Sequence, residues 1–192
     1  MESKSIYQKL AQRFGDSVSE YTEAKDPFCK VRPASIRDVS LYCRDDAELR
    51  FDFLQCMTAV DWIKQSILQV VYHLYSYDKR HSFVLKVDAP RDNAIVPSVV
   101  SVWATADWQE REQFDLLGVQ FEGHPDLRRL LMPDDWDGHP MRKDFKEAAE
   151  YRGMPTTRYS PLELLAAYDK ANPQVEGQRP VGKAGKPESH EG

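Results

Sequence analysis

The sequence predicts an α+β fold: a two-layer domain with a small mixed sheet packed by helices, followed by an extended basic arm and a flexible C-terminal tail. Three observations indicate this class. Apolar residues recur at helical spacing near the N-terminus, two strand-like runs flank a charged turn at 78–80, and a second helical pattern ends at Gly118. Helices thus come before and after a hairpin instead of alternating with strands, unlike the order of a doubly wound sheet.

The first element is an amphipathic helix. Ile6, Leu10 and Phe14 are spaced four apart, and Gly15 follows them as at a helix C-terminus. The chain then loosens through 20–33, so residues 1–30 are expected to form an N-terminal helix and linker.

Two more short helices are predicted before the hairpin. Ser35 stands three residues before Asp38, which resembles a capping box that opens a short helix. Asp46 is expected to open another helix. That helix would bury Leu49, Phe53 and Met57.

The middle of the chain predicts a β-hairpin. Residues 67–77, ILQVVYHLYSY, are rich in β-branched and aromatic side chains. Residues 81–89 alternate Phe83, Leu85 and Val87 with polar residues, so two strands joined by a tight turn are predicted.

A longer helix is predicted after the hairpin. The stretch from Pro97 begins like a helix, and Asp107 with Glu110 gives a second capping box for a helix that ends at Gly118. Residues 119–121 resemble a short strand. These elements complete a core domain at 31–122.

The helix that ends at Gly118 is acidic. Arg111 and Asp115 lie four apart and are expected to pair, which leaves Glu110 and Glu112 without a cation. This face is expected to draw cations from downstream, namely Arg128, Arg129, Arg142 and Lys143. Two alternatives stay open: a solvated helix face, and paired carboxylates for acid–base catalysis.

A Gly-His-Pro turn occurs twice in the arm at 123–158, at His124 and at His139, and basic residues follow each copy. Histidines among nearby aspartates have the ligand types of a metal site. Each histidine precedes a proline, however, which favours extended geometry, and the fifteen-residue separation differs from ligand pairs on one helix. Turns that redirect the backbone are therefore the favoured interpretation, with a metal site as the alternative.

Composition argues against several classes of function. The net charge of −5 and the pI near 5.6 argue against a phosphate-backbone binder, so no nucleic-acid partner is expected. Cys29, Cys43 and Cys56 are isolated, which fits a reducing compartment and disfavours an iron–sulfur or zinc site. No Gly-rich phosphate loop or nucleophile elbow occurs. No export signal is expected, and the apolar stretch at 94–106 is too short to span a bilayer.

The chain changes character after Asp144. Residues 159–168 are expected to form one more helix, with Ser160 as its cap and Pro161 at its first position. The remaining residues are rich in Pro, Gly and charge. We expect 159–192 to hold this short helix and a disordered tail.

Residues 108–145, WQEREQFDLLGVQFEGHPDLRRLLMPDDWDGHPMRKDF, closely resemble the signature region of the C-subunit family of respiratory NADH:quinone oxidoreductase, bacterial complex I. The resemblance continues more weakly upstream to about Val31. It marks a partner interface at Glu110, Arg111, Glu112, Asp115, Gly118, His124, Arg128, Arg129, Leu130, Trp136, His139, Arg142, Lys143 and Asp144.

The resemblance implies a non-catalytic component on the cytoplasmic side of the bacterial membrane. This component would pack against the large D-subunit of the complex, which builds the quinone pocket, and against neighbouring peripheral-arm subunits. The resemblance implies no cofactor in this chain, because NAD, flavin, iron–sulfur clusters and quinone would lie on partner subunits. Membrane association is expected only through the complex.

Two other hypotheses remain. The chain could be the equivalent subunit of a related membrane-bound hydrogenase or other quinone oxidoreductase, or it could be a small His/Asp metallohydrolase.

In the isolated chain, the backbone N–H groups of the arm are expected to lack hydrogen-bond partners and its apolar side chains to be exposed, so both would need a neighbouring protein. Replacing Arg142 or Glu112 by alanine is then expected to release the chain from the complex and to abolish quinone reduction indirectly.

Overall fold

The computed structural model describes residues 2–156 and residue 170. The chain divides into two units, Met1–Lys146 and Glu147–Gly192. The helices are α1 (Ser3–Phe14), α2 (Ile36–Asp45) and α3 (Ala106–Leu117). The strands of the first unit are β1 (Val18–Thr22), β2 (Phe28–Val31), β3 (Phe53–Trp62), β4 (Ile67–Ser76), β5 (His81–Pro90), β6 (Ile95–Pro97) and β7 (Gln120–Glu122). The α+β class is therefore confirmed.

The main sheet has five strands in the order β1-β2-β5-β4-β3. Strand β2 runs parallel to β5 and the other neighbours are antiparallel, so the sheet is mixed as predicted. The predicted hairpin is confirmed, with β4 and β5 paired along ten residues from Ile67↔Pro90 to Ser76↔His81. Strands β6 and β7 form a separate parallel pair, in which Val96 lies opposite Phe121.

The core lies between the helices and one face of the sheet. Strand residues alternate between two faces, and the side chains that point towards the helices are buried in a single cluster with Ile6 of α1 and Val39 of α2. The sheet contributes Leu68, Val70, Tyr72, Leu74, Phe83, Leu85 and Val87 to this cluster. The predicted helix at Ile6 to Phe14 is confirmed, and its buried positions are Ile6 and Leu10.

The helix predicted from Asp46 is wrong. Residues 46–50 form a turn, and the Asp46 carboxylate accepts the N–H groups of Glu48 (2.9 Å) and Leu49 (3.1 Å) there. Strand β3 begins at Phe53 and contains Met57, two of the residues assigned to the predicted helix. A spacing of four fits a helix, but β4 offers a strand edge along which this run pairs over ten residues, from Phe53↔Tyr75 to Trp62↔Ile67.

Both predicted capping boxes are wrong, although their helices exist. Helix α2 begins after Ser35, whose side chain makes no capping hydrogen bond. Pro97 ends β6, turns follow it, and α3 begins only at Ala106. The Glu110 carboxylate does not fold back onto the α3 N-terminus, because it accepts the Val99 N–H at 2.7 Å.

The second unit contributes one short hairpin to the described residues, formed by β8 (Glu150–Tyr151) and β9 (Met154–Pro155). The helix and tail predicted at 159–192 lie outside the described residues, apart from residue 170. Among the helices of residues 2–156, none has the length and apolar character needed to cross a membrane.

Candidate functional site

The C-terminal half of α3 carries a fully buried carboxylate, that of Asp115. Its Oδ2 accepts the backbone N–H groups of Leu130 (3.1 Å), Leu131 (2.7 Å) and Met132 (2.8 Å). Its Oδ1 accepts a hydrogen bond from the Arg129 guanidinium at 2.8 Å. One side chain thus holds four consecutive residues of the chain downstream of the first Gly-His-Pro turn.

These hydrogen bonds decide the charge of Asp115. Burial by itself would raise the pKa of the carboxyl, but the N–H groups of Met132 and Leu131, the Arg129 guanidinium and the Leu130 N–H hold the pKa below its ordinary value. Asp115 is therefore ionised at neutral pH.

The predicted pairing of Arg111 with Asp115 is wrong. The Arg111 guanidinium lies 4.9 Å from the Trp108 ring centroid, and its Nε donates to the Arg128 carbonyl at 3.4 Å. Arg129 pairs with Asp115 where Arg111 was predicted to do so. The Arg129 guanidinium also donates to the carbonyls of Trp136 (2.9 Å) and Gly138, which hold it beside Asp115. The expectation that the acidic helix draws a cation from downstream is confirmed for Arg129. It is wrong for Arg128, which pairs with Asp126, and for Arg142, which binds backbone carbonyls.

The second Gly-His-Pro turn caps the end of α3. His139 Nδ1 donates to the Asp115 carbonyl at 2.9 Å, and the Met141 N–H donates to the Leu116 carbonyl at 3.0 Å. Arg142 Nε donates to the Leu117 carbonyl at 2.8 Å. The last carbonyls of a helix lack partners within the helix, so this turn supplies partners for three of them.

Gly118 makes this capping possible. It adopts a left-handed conformation with φ of 76°, and its N–H donates to the carbonyls of Gln113 and Phe114. A Cβ at this position would lie 2.5 Å from His139 Nε2 and 2.9 Å from an Arg142 nitrogen. Glycine is required here both for the backbone conformation and for the close approach of the second turn.

A second buried carboxylate, Asp61 at the end of β3, holds the chain just before Lys146. Arg91 makes a bidentate ion pair with Asp61 (2.8 and 2.9 Å) and also binds Asp144 at 2.5 Å. The backbone N–H of Lys143 donates to Asp61 Oδ2 at 3.0 Å. The Arg91 guanidinium, and then the Lys143 N–H, hold the pKa of Asp61 below its ordinary value.

Sequence reasoning identified Asp144 and Lys143 but missed Asp61 and Arg91. Asp61 stands between Val60 and Trp62, and a lone carboxylate between apolar residues was the available signal in the sequence. We call residues 123–146 the anchored segment: it contains turns and bends but no helix or strand, and Asp115, Asp61 and the end of α3 hold it.

The first Gly-His-Pro turn is held by a buried histidine. The Asp126 N–H donates to His124 Nδ1 at 3.0 Å, so Nε2 carries the proton and lies 3.2 Å from the Asp107 carbonyl. His124 Nε2 is 4.0 Å from Glu110 Oε2. Burial raises the pKa of Glu110 to about 7, although the Val99 N–H opposes that shift.

Both histidines bind backbone groups. His124 and His139 occupy separate turns at opposite ends of α3, the first at Asp107 and the second at Asp115. Within the part of the chain that the structure describes, no three His, Cys, Asp or Glu side chains are grouped so that they could hold a metal ion.

The remaining candidate residues lie nearer the surface. Arg128 is exposed and pairs with Asp126 at 2.9 Å, and Glu112 is half-buried and accepts a hydrogen bond from Gln113 at 3.3 Å. The Lys143 ammonium lies 5.8 Å from the Trp62 ring centroid. Leu130 and Trp136 are half-buried.

The outer side of the anchored segment is apolar in places. Leu131 is 61% exposed and Met141 is 63% exposed, and Trp108 at the start of α3 is exposed to a similar degree. The expectation that the backbone donors of this segment need a neighbour is wrong for Leu130, Leu131 and Met132, whose N–H groups bind Asp115. The groups of this segment that are left available to contact another protein are therefore the exposed side chains, such as those of Leu131 and Met141.

The fold and the anchored segment define a small α+β protein with an ordered non-helical arm. A family described as "Respiratory-chain NADH dehydrogenase, 30 Kd subunit" matches residues 29–151, well over half of the sequence. The chain belongs to this family, which confirms the resemblance stated from residues 108–145.

Relatives that are named as the C-subunit of NADH-quinone oxidoreductase support the assignment. The protein of Chlorobium phaeobacteroides is 38% identical over 156 residues, which cover 80% of this chain and 94% of the relative. That of Roseiflexus sp. is 41% identical over 78% of this chain and 87% of the relative. The Chloroherpeton thalassium protein is 40% identical over 77% of this chain, and the match spans only 62% of its length.

Two solved structures share the fold. A chain of the membrane-bound sulfane sulfur reductase, an archaeal respiratory membrane complex, superposes with a TM-score of 0.63 at 23% identity, covering 95% of this chain and 98% of that one. A trypsin-resistant fragment of Nqo5 superposes with a TM-score of 0.56 at 22% identity, covering 66% of this chain and all of the fragment.

Proposed function

We propose that this chain is a non-catalytic component of a proton-translocating NADH:quinone oxidoreductase and that the anchored segment docks it on the large D-subunit, which builds the quinone pocket. NAD, flavin, iron–sulfur clusters and quinone are held by partner subunits. The chain lies on the cytoplasmic side of the bacterial membrane and associates with it only through the complex. Its part in electron transfer from NADH to quinone is to hold the D-subunit and the neighbouring peripheral-arm subunits in place.

The observation that carries the proposal is the fixed presentation of the anchored segment. Asp115 and Asp61 bind its backbone from inside, so the segment needs no helix or strand to be ordered. The side chains of Leu131 and Met141 then project outwards. Large exposed apolar side chains on an ordered backbone are typical of anchor residues at protein interfaces.

The basic residues divide between two tasks. The guanidinium groups of Arg129 and Arg142 bind carbonyls and Asp115 within the chain. Arg128 and Lys143 are exposed and remain able to face a partner. Docking therefore combines apolar contacts in the centre with cations at the rim, which steer association more than they strengthen it.

The test replaces Leu131 and Met141 together by aspartate in the gene of the intact complex. Both side chains are more than 60% exposed, so the fold of the chain is expected to survive. Purification through a different subunit is expected to recover the complex without this chain and with its NADH:quinone activity lost. The matched control is Ile95→Asp, at another exposed apolar position, which keeps both. A doubly substituted chain that remains stoichiometric in an active complex contradicts the proposal.

The alternative is the equivalent component of a related membrane-bound hydrogenase or other quinone oxidoreductase. The likeness to the sulfane sulfur reductase chain concerns the fold alone, whereas the relatives near 40% identity are named for NADH and quinone. Purification of the complex through this chain distinguishes the two. Recovery of an NADH-oxidising flavoprotein supports the proposal, and recovery of a complex that oxidises another donor supports the alternative.

A further inference from the structure

The main sheet has a second face, which points away from the helices. The register places Thr58, Val71 and Lys86 side by side on this face, and the next row is Cys56, His73 and Val84. Val71 and Val84 are almost completely buried, yet neither belongs to the core cluster between the helices and the sheet. The apolar side chains of this face thus form a separate layer.

A groove of about 470 Å³ runs over this face. Its apolar lining comes from Ala24, which precedes β2, and from five side chains on four strands, which are Phe28, Val60, Trp62, Val71 and Val84. Thr58, Gln69 and His73 add polar groups to the lining. Apolar grooves with a few polar groups bind small ligands, and peptide segments also bind by laying an apolar face into such grooves.

Three charged side chains line the groove, and two of them are cations: Lys25, Asp26 and Lys86. The Lys86 ammonium lies 3.5 Å from the Phe28 ring centroid, and no carboxylate of the described residues forms an ion pair with it. Lys30, on the neighbouring strand β2, differs because it pairs with Glu20 (2.7 Å) and Asp88 (3.0 Å). In a chain of net charge −5, Lys86 is a cation placed over apolar surface and open to an acidic group.

This groove is continuous with the anchored segment. Trp62 lines the groove, and the Lys143 ammonium lies 5.8 Å from its ring centroid. A partner that binds Lys143 therefore also meets Trp62, which is 42% exposed and lines the groove.

We propose that this face of the sheet is a second docking surface, which takes an acidic segment of the partner bound by the anchored segment. Apolar side chains of that segment fill the groove and a carboxylate binds Lys86. The inference rests on the proposed function, because it names the same partner, but it concerns a different surface of the chain.

The thiol of Cys56 can be used to measure whether this face of the sheet is covered. Cys56 is exposed and stands opposite His73, which lines the groove, whereas Cys29 and Cys43 are buried. Burial also raises the pKa of Cys29 to about 12 and that of Cys43 further, so neither forms a thiolate near neutral pH. A maleimide added to the folded chain at neutral pH therefore labels Cys56.

The experiment compares the rate of maleimide labelling at Cys56 in the free full-length chain and in the purified complex, with Cys56→Ser as the labelling control. We expect labelling to be at least tenfold slower in the complex. Labelling at the free-chain rate in a complex that retains the chain overturns the inference and leaves the proposed function intact. A chain that does not copurify with the complex overturns both.

A second measurement tests the role of Lys86. Lys86→Met keeps the stem over Phe28 and removes the charge, and Lys86→Glu reverses the charge. We expect both variants to weaken retention in the complex and to raise the rate of Cys56 labelling there. For Lys86→Glu we expect this rate to rise by about tenfold or more, because a reversed interfacial charge is costly. Lys4→Glu, an exposed position on α1, is the matched control and changes neither. Unchanged protection of Cys56 in both Lys86 variants shows that no carboxylate binds there.

Discussion

Asp115→Asn tests whether one buried carboxylate holds the anchored segment. Asparagine has nearly the same shape, but it carries no charge and offers one acceptor oxygen where Asp115 uses two. Its amide oxygen can accept the three backbone N–H groups, and its NH₂ group then faces the Arg129 guanidinium. Loss of one charge-assisted hydrogen bond beside a partly buried arginine costs about 3 kcal/mol of the free energy of unfolding.

Two assays measure this effect. In a domain of this size, 1 kcal/mol corresponds to about 2 to 4 °C, so we expect the Tm to fall by roughly 6 to 12 °C. Limited proteolysis is expected to cleave the variant first within 123–146, because these residues lose the group that binds their backbone. The control Asp126→Asn removes an exposed ion pair to Arg128 and is expected to change stability by less than about 1 kcal/mol. A Tm and a cleavage pattern unchanged by Asp115→Asn refute the reasoning.

Two further predictions concern the same helix. Gly118→Ala is expected to lower the free energy of unfolding by about 2 kcal/mol or more, because of the left-handed backbone and the close contact with His139. Gly123 has a similar φ, but a Cβ there meets open space. Gly123→Ala is therefore expected to cost only the backbone contribution of about 1 kcal/mol. Equal losses of urea stability in these two variants contradict the close approach. Glu110→Gln removes a buried carboxyl whose pKa rises from 4.5 to about 7 on folding. Between these pH values the folded chain keeps a proton that the unfolded chain has released, so the unfolding free energy of the unaltered chain falls as pH rises. The stability of Glu110→Gln relative to the unaltered chain should therefore increase by about 3 kcal/mol from pH 4.5 to pH 8, and an advantage independent of pH contradicts this account.

The sequence was sufficient for the elements whose periodicity is strong. The helix at Ile6 to Phe14 and the hairpin of β4 and β5 follow from local spacing, because each buries one face. Strand β3 could not be assigned in this way. Its apolar residues fit a helix equally well, and the deciding factor is the free edge of β4, which lies outside the segment itself.

The contacts of the candidate site were partly predictable. That the acidic helix needs cations from downstream follows from counting charges, and Arg129 provides one. The choice of Arg129 over Arg111 could not be predicted, because it depends on carbonyls that the second turn brings to the guanidinium. The pair of Asp61 and Arg91 joins residues thirty positions apart, and no local pattern connects them.

The hydrogen bonds that hold the anchored segment within the chain have a consequence for how fast it can associate with a partner. A loop that orders only on contact spends part of its binding free energy on lost conformational entropy, and it associates slowly when ordering limits the rate. Here Asp115 fixes residues 129–132 before any partner arrives. Under the proposed function, the anchored segment therefore docks as a preformed surface, and we expect diffusion and orientation to set the association rate.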